Sequence, residues 1–148
     1  MFVLQPSFAS DLPKPTIIVI TGAFMHHIAY NDFAQSLSHT GHRVLLPELA
    51  SSWSLRPTGE PVKVDVEALR CHIVQQVDAG NEIILVMHSY GCIIGGAAAK
   101  GLSKKEQEAK GEKGGVLGLI FIAGYIVEEG TAVKDTLPGG VLESTEEV

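Results

Sequence analysis

Hydrophobic positions fall in two rhythms along the chain. Thr16-Ile17-Ile18-Val19-Ile20-Thr21 is β-branched throughout, and Glu82-Ile83-Ile84-Leu85-Val86-Met87 and Val116 to Ala123 are apolar at nearly every position. Arg43-Val44-Leu45-Leu46 is a shorter run closed by Pro47. Strands apolar on both faces belong to a parallel sheet covered by helices on either side. Between these runs the period changes. Phe33, Ala34 and Leu37 precede Gly41, and Val66, Leu69, Ile73, Val74 and Val77 precede Gly80, so each set predicts a helix with a core face and a glycine stop. Cys92 to Ala99 is a small-residue apolar segment that predicts a third helix ending near Gly101. The order β-α-β-α-β-α-β predicts an α/β chain: a three-layer αβα arrangement, a mostly parallel sheet of about four strands, and right-handed crossovers. Sites in such sheets lie at the carboxyl ends of strands. Gly22-Ala23 and Ser89 both fall there.

The remaining segments carry weaker patterns. Residues 1–15, with Pro6, Pro13 and Pro15, predict an irregular leader in which Phe2-Val3-Leu4 adds at most a short edge strand. Glu48 to Pro61 predicts a loop. Ser103-Lys104-Lys105-Glu106 fits a capping box, so residues 104–110 are either a short exposed helix or a charged loop. Residues 16–127 carry the domain pattern, and residues 128–148 predict the start of a cap region or a disordered tail.

Composition narrows the class. At 148 residues the chain is one domain, and 45% hydrophobic with 19% charged residues fits a globular chain and argues against one disordered throughout. The net charge is -6, and the one basic cluster, Lys100 to Lys113, is interleaved with Glu106, Glu108 and Glu112. That is a solvated face, not a nucleic-acid surface. No apolar run reaches the length of a membrane span, and the N-terminus lacks a secretory pattern. The cytosol is the expected location. Cys71 and Cys92 fall in predicted helices without metal-type spacing, so both are expected to be buried free thiols. No metal and no cofactor is expected.

The chemistry concentrates at Met87-His88-Ser89-Tyr90-Gly91-Cys92. A buried strand running into a turn with serine at its tip, followed by a small-residue helix, reads as a nucleophile elbow. Serine needs a base and an oxyanion hole, and an elbow lifts Oγ clear of the sheet while aiming a helix N-terminus at the reacting oxygen. Met87 occupies the first glycine position of Gly-x-Ser-x-Gly, so the strict pattern is not met. The alternatives are a structural serine at a helix N-cap, and Cys92 as the nucleophile.

Ile17 to Phe24 together with Val86-Met87-His88-Ser89-Tyr90-Gly91 resembles the α/β-hydrolase superfamily, in its small esterase, methylesterase and hydroxynitrile-lyase type branch as found in many fungal hydrolase-like proteins. The resemblance runs from about residue 16 to 127, the N-terminal part of a family domain. It implies Ser89 as nucleophile, with the backbone N–H of Tyr90 and of Ala23 (or Phe24) as oxyanion donors. Thr21 and Cys92 stand where the branch usually has His or Pro and a second glycine.

That family orders its triad as Ser, then acid, then His. All six histidines (His26, His27, His39, His42, His72 and His88) precede or adjoin Ser89. Only His26 and His27, on the loop after the first strand, are placed to approach it, and they read more simply as residues shaping the pocket mouth. Among the later acids, Glu106, Glu108 and Glu112 lie in the charged segment, and Glu128, Glu129 and Asp135 fall where a cap would begin. No catalytic acid is assigned. The expectation is a serine hydrolase of small ester or related acyl substrates, truncated and weakly active or inactive alone. A non-catalytic binding or regulatory protein using the same pocket is the alternative. The run 116–123 is also expected to be an unpaired edge through which the chain self-associates.

Overall fold

A computed structural model describes residues 13–53, 61–124 and 126–127. Four strands form one parallel sheet in the order β2-β1-β3-β4, with β1 at Thr16–Ile20, β2 at Val44–Leu45, β3 at Glu82–His88 and β4 at Gly115–Ile122. The helices are α1 (Asn31–Ser38), α2 (Pro61–Asp78), α3 (Gly91–Ala98) and α4 (Lys104–Glu108), and 3-10 turns occupy His27–Tyr30 and Ala50–Trp53. This is the three-layer αβα arrangement with a parallel four-stranded sheet that the hydrophobic rhythm predicts. The expected strand at Phe2-Val3-Leu4 and the segment 128–148 lie outside the described residues.

Alternate residues of the two central strands feed two cores. Ile18 and Ile20 of β1 with Ile83, Leu85 and Met87 of β3 pack under α2 and α3, against Leu69, Ile73, Val77, Cys92, Ile94 and Ala98. Ile17, Val19 and Val86 point the other way, towards Tyr30, Leu37, Val44 and Leu46. The second core is much the smaller, because among the described residues only α1 and the segment before it cover that face. Phe33, expected in this core, is 40% exposed on α1, and Leu37 supplies the contact instead.

Helix α3 lies close against β1. A Cβ on Gly91 would stand 2.7 Å from the carbonyl oxygens of both Ile20 and Thr21, so only glycine fits at this first turn. Arg70 of α2 donates to the Ala98 and Lys100 carbonyls, both at 2.8 Å, closing the C-terminal end of α3. The capping box forms: Ser103 Oγ accepts from Glu106 N–H, and the Glu106 carboxylate accepts from Ser103 N–H, so the short-helix alternative holds for residues 104–108. Both cysteines are free. Cys92 is buried, but Cys71 is exposed on α2, contrary to expectation, because it sits beside the buried Ile73 stripe and not on it.

β4 differs from the central strands. It pairs with β3 through a register irregularity at Ile83/Ile84, and Leu117, Leu119, Ile120 and Ile122 are all exposed. Both faces are apolar, as predicted, but among the described residues little covers them.

Candidate active site

The register of the sheet builds the site. Ile20 pairs with Met87 in parallel, so the residues that follow each strand emerge side by side. A Cβ on Gly22 would lie 3.4 Å from Ser89 Cβ and 3.1 Å from His88 Nδ1. The loop after β1 therefore touches the turn after β3, and a larger residue at 22 would crowd the His88 ring beside the serine.

Ser89 has φ +51°, left-handed backbone that a non-glycine residue adopts at a cost of order ~1–3 kcal/mol. Its N–H donates to Ile122 O of β4 at 3.0 Å, and its carbonyl accepts from Cys92 N–H at 3.0 Å as α3 begins. Strand, strained serine and helix follow within four residues. Ser89 is partly exposed, whereas Met87 and Cys92 on either side are buried. Among the described residues no side chain hydrogen-bonds to Ser89 Oγ.

Cys92 is not a competing nucleophile. It is buried in α3, its Sγ donates to Met87 O at 3.3 Å, and burial pushes the thiol pKa up. A buried thiol held protonated is a packing group.

Two side-chain networks that sequence reasoning missed hold the elbow. In the first, Gly22 N–H donates to Tyr30 Oη at 3.1 Å, and the Tyr30 hydroxyl meets His88 Nδ1 at 2.6 Å. Every group is satisfied when Tyr30 accepts from Gly22 and donates to the imidazole, which then carries its proton on Nε2. His88 is thus turned towards Tyr30. In the second, Tyr90 Oη donates to Asp65 Oδ2 at 2.9 Å, and Asp65 Oδ1 accepts from Ser51 N–H at 3.1 Å. Asp65 is 0% exposed. Burial, and then the bond and charge of Asp65, push the Tyr90 phenol pKa well up, so it stays a donor. The signal for Asp65 was present: it lies four residues before Leu69 on the buried stripe of α2, a carboxylate where a core residue belongs.

His26 and His27 lie on the loop after β1 as expected, but they face Glu48. His26 Nε2 is 3.3 Å and His27 Nδ1 3.1 Å from the same oxygen, Glu48 Oε1, and the two rings stand 4.3 Å apart. His39 is exposed just after α1, His42 Nδ1 pairs with Pro15 O, and His72 is exposed on α2. None of the six histidines hydrogen-bonds to Ser89 Oγ. Two shallow clefts, one beside β4 at Gly96 to Leu119 and one between β2 and α2, do not include Ser89.

Comparison with known proteins places this geometry. Residues 17–144 match the Alpha/beta hydrolase family. The chain belongs to that family. The match reaches beyond residue 127, so it takes in most of the chain rather than the stretch ending after β4 that the motifs marked. The alpha/beta hydrolase nvfD of Aspergillus novofumigatus is 33% identical over 127 residues, covering 84% of this chain and 48% of its own length. An extracellular α/β-hydrolase from a Paenibacillus species, described as sharing structural and functional homology with tobacco salicylic acid binding protein 2, superposes with a TM-score of 0.64 at 19% identity. That superposition covers 85% of this chain and 47% of the other. Tomato methylketone synthase I, solved with 2-tridecanone, gives a TM-score of 0.56 at 18% identity over 80% of this chain and 43% of its own. These two show a shared fold. The chain spans about half the length of the relatives it matches. No helix among the described residues is long and apolar enough to cross a membrane.

Proposed function

We propose that Ser89 is the nucleophile of a carboxylic-ester hydrolase site acting on a small ester or related acyl substrate through an acyl-serine. The observation that carries this is the left-handed Ser89 at the junction of β3 and α3, with Gly22 of the neighbouring strand end against it. In the proposed step Oγ adds to the acyl carbonyl carbon while its proton passes to a base. The oxygen that becomes negative accepts from the backbone N–H groups of Ala23 and Tyr90. Neither N–H is used in a turn or loop hydrogen bond of the described residues. Donors fixed before the charge develops need no reorganisation when it appears, which is why such holes contribute strongly.

The base is the part this chain does not supply. No histidine follows Ser89 in this sequence, and none of the six hydrogen-bonds to its Oγ; His88 pairs with Tyr30, and His26 and His27 with Glu48. Loss of the base lowers a serine hydrolase by orders of magnitude, leaving roughly 10³–10⁴-fold over water from the oxyanion hole and binding. The chain alone is therefore weakly active or inactive, in the cytosol by the sequence reading. The exposed β4 edge favours association with a further strand, including that of a second copy.

A second reading, a non-catalytic binding protein that uses the same pocket, is favoured by the uncommitted Ser89 Oγ. A fluorophosphonate probe separates the two. Slow labelling that disappears in Ser89→Ala is expected for the hydrolase site; a chain left unlabelled on long exposure is expected for the binding reading.

A further inference from the structure

His26, His27 and Glu48 form a cluster that the Ser89 chemistry does not use. One ligand atom from each lies within 4.8 Å of the other two. The two nitrogen–oxygen separations, 3.3 and 3.1 Å, approach the spacing of about 3.3–3.4 Å between neighbouring ligands held 2.0–2.1 Å from a tetrahedral metal ion. All three side chains are partly exposed, which leaves a path for an ion and room for solvent in a fourth position.

We propose that His26 Nε2, His27 Nδ1 and the Glu48 carboxylate form a binding site for a zinc-class divalent transition-metal ion. The donor set decides the class. Two imidazoles with one carboxylate suit Zn²⁺ and its first-row neighbours, whereas Mg²⁺ and Ca²⁺ take oxygen ligands.

Proton positions set the cost of binding. Without metal, His26 Nδ1 accepts from Ile28 N–H at 3.3 Å, so Nε2 carries the ring proton and donates to Glu48. A metal on Nε2 moves that proton to Nδ1 and ends the Ile28 contact. This contact is long and exposed, so its loss is small beside three metal–ligand bonds. At His27 the metal replaces the proton on Nδ1 directly, with Nε2 taking it up.

The position gives the site a consequence. His26 and His27 follow Ala23 and Phe24 on the loop that borders Ser89, and Glu48 follows β2. Among the other described contacts, Ser52 Oγ to Met25 O at 3.2 Å joins the same two segments. A bound ion pins the loop that carries the proposed Ala23 donor to the segment after β2. The binding itself does not depend on Ser89 being a nucleophile.

The test is titration of the intact chain with Zn²⁺ by calorimetry and with Co²⁺ by visible absorption. One ion per chain is expected, with a Co²⁺ spectrum of low coordination number. Loss of a partner one shell out already costs about 10–100-fold in metal affinity, so His27→Ala and Glu48→Gln are each expected to weaken Zn²⁺ at least about tenfold. His72→Ala, exposed on α2 away from the cluster, is expected to bind as the parent does. Melting of each variant without metal checks that it folds. Absence of stoichiometric binding, or binding that survives both His27→Ala and Glu48→Gln, overturns the proposal.

Discussion

β3 and β4 are neighbours in the sheet with nearly the same kind of sequence, yet they live in different surroundings. In β3, Ile83, Leu85, Val86 and Met87 are buried, the strand has a partner on each side, and it delivers Ser89 to its carboxyl end. In β4, Leu119 and Ile120 are 38% and 47% exposed, and among the described residues the strand has one partner. Both-face apolarity states that a strand is meant to be covered. It does not state what covers it. The difference sets the surroundings of Ser89: it ends a strand covered on both faces, beside a strand whose side chains are largely uncovered among the described residues.

Substitutions can break or sharpen this contrast. The largest effect is expected at β3, where Leu85→Ala removes a fully buried side chain and costs about 2–5 kcal/mol, while Leu119→Ala costs under about 1 kcal/mol in denaturant melts. Equal costs would mean that β4 is covered in solution, by the rest of the chain or by another copy. Asp65→Ala comes next. It strands the part-buried Tyr90 hydroxyl and Ser51 N–H, together a loss of about 1–3 kcal/mol, and loosens the residue after Ser89. The labelling rate of Ser89 should fall with it and recover partly in Asp65→Asn.

Self-association offers a milder contrast. Lysine at both Leu119 and Ile120 is expected to shift sedimentation towards monomer, whereas lysine at the exposed Val62 of α2 should not. The smallest effect belongs to the cap of α4. Ser103→Ala costs about 1 kcal/mol. The two bonds from Ser103 hold the Glu106 carboxyl below its usual range. A depressed folded-state pKa contributes stability above the unfolded value and loses it as pH falls through the folded one. The difference between parent and Ser103→Ala should therefore be full at neutral pH and shrink on acidification.

Much of the fold was legible because its signals are local. Runs of β-branched residues marked β1 and β3, and Gly80 and the capping box marked helix ends. The strand, turn and helix around Ser89 were legible for the same reason, being contiguous in sequence. What stayed hidden depends on partners distant in sequence. Asp65 and Tyr90 are joined across the α2–α3 interface, Tyr30 and His88 across the sheet, and Glu48 comes to the two histidines only because β2 lies beside β1. Exposure was misjudged at Phe33, which stays 40% exposed on the side it shares with the packed Leu37, and at Cys71, which lies beside the buried stripe of α2.

The central claim is that Ser89 is a nucleophile, and peptide mass spectrometry after fluorophosphonate treatment tests it most directly. Cleavage after Arg70 and Lys100 yields a peptide whose only serine is Ser89. The expected result is slow accumulation of the phosphonyl adduct on that peptide, lost in Ser89→Ala and in chain unfolded beforehand. No adduct on the peptide from the folded chain, or equal labelling in folded and unfolded chain, would contradict it.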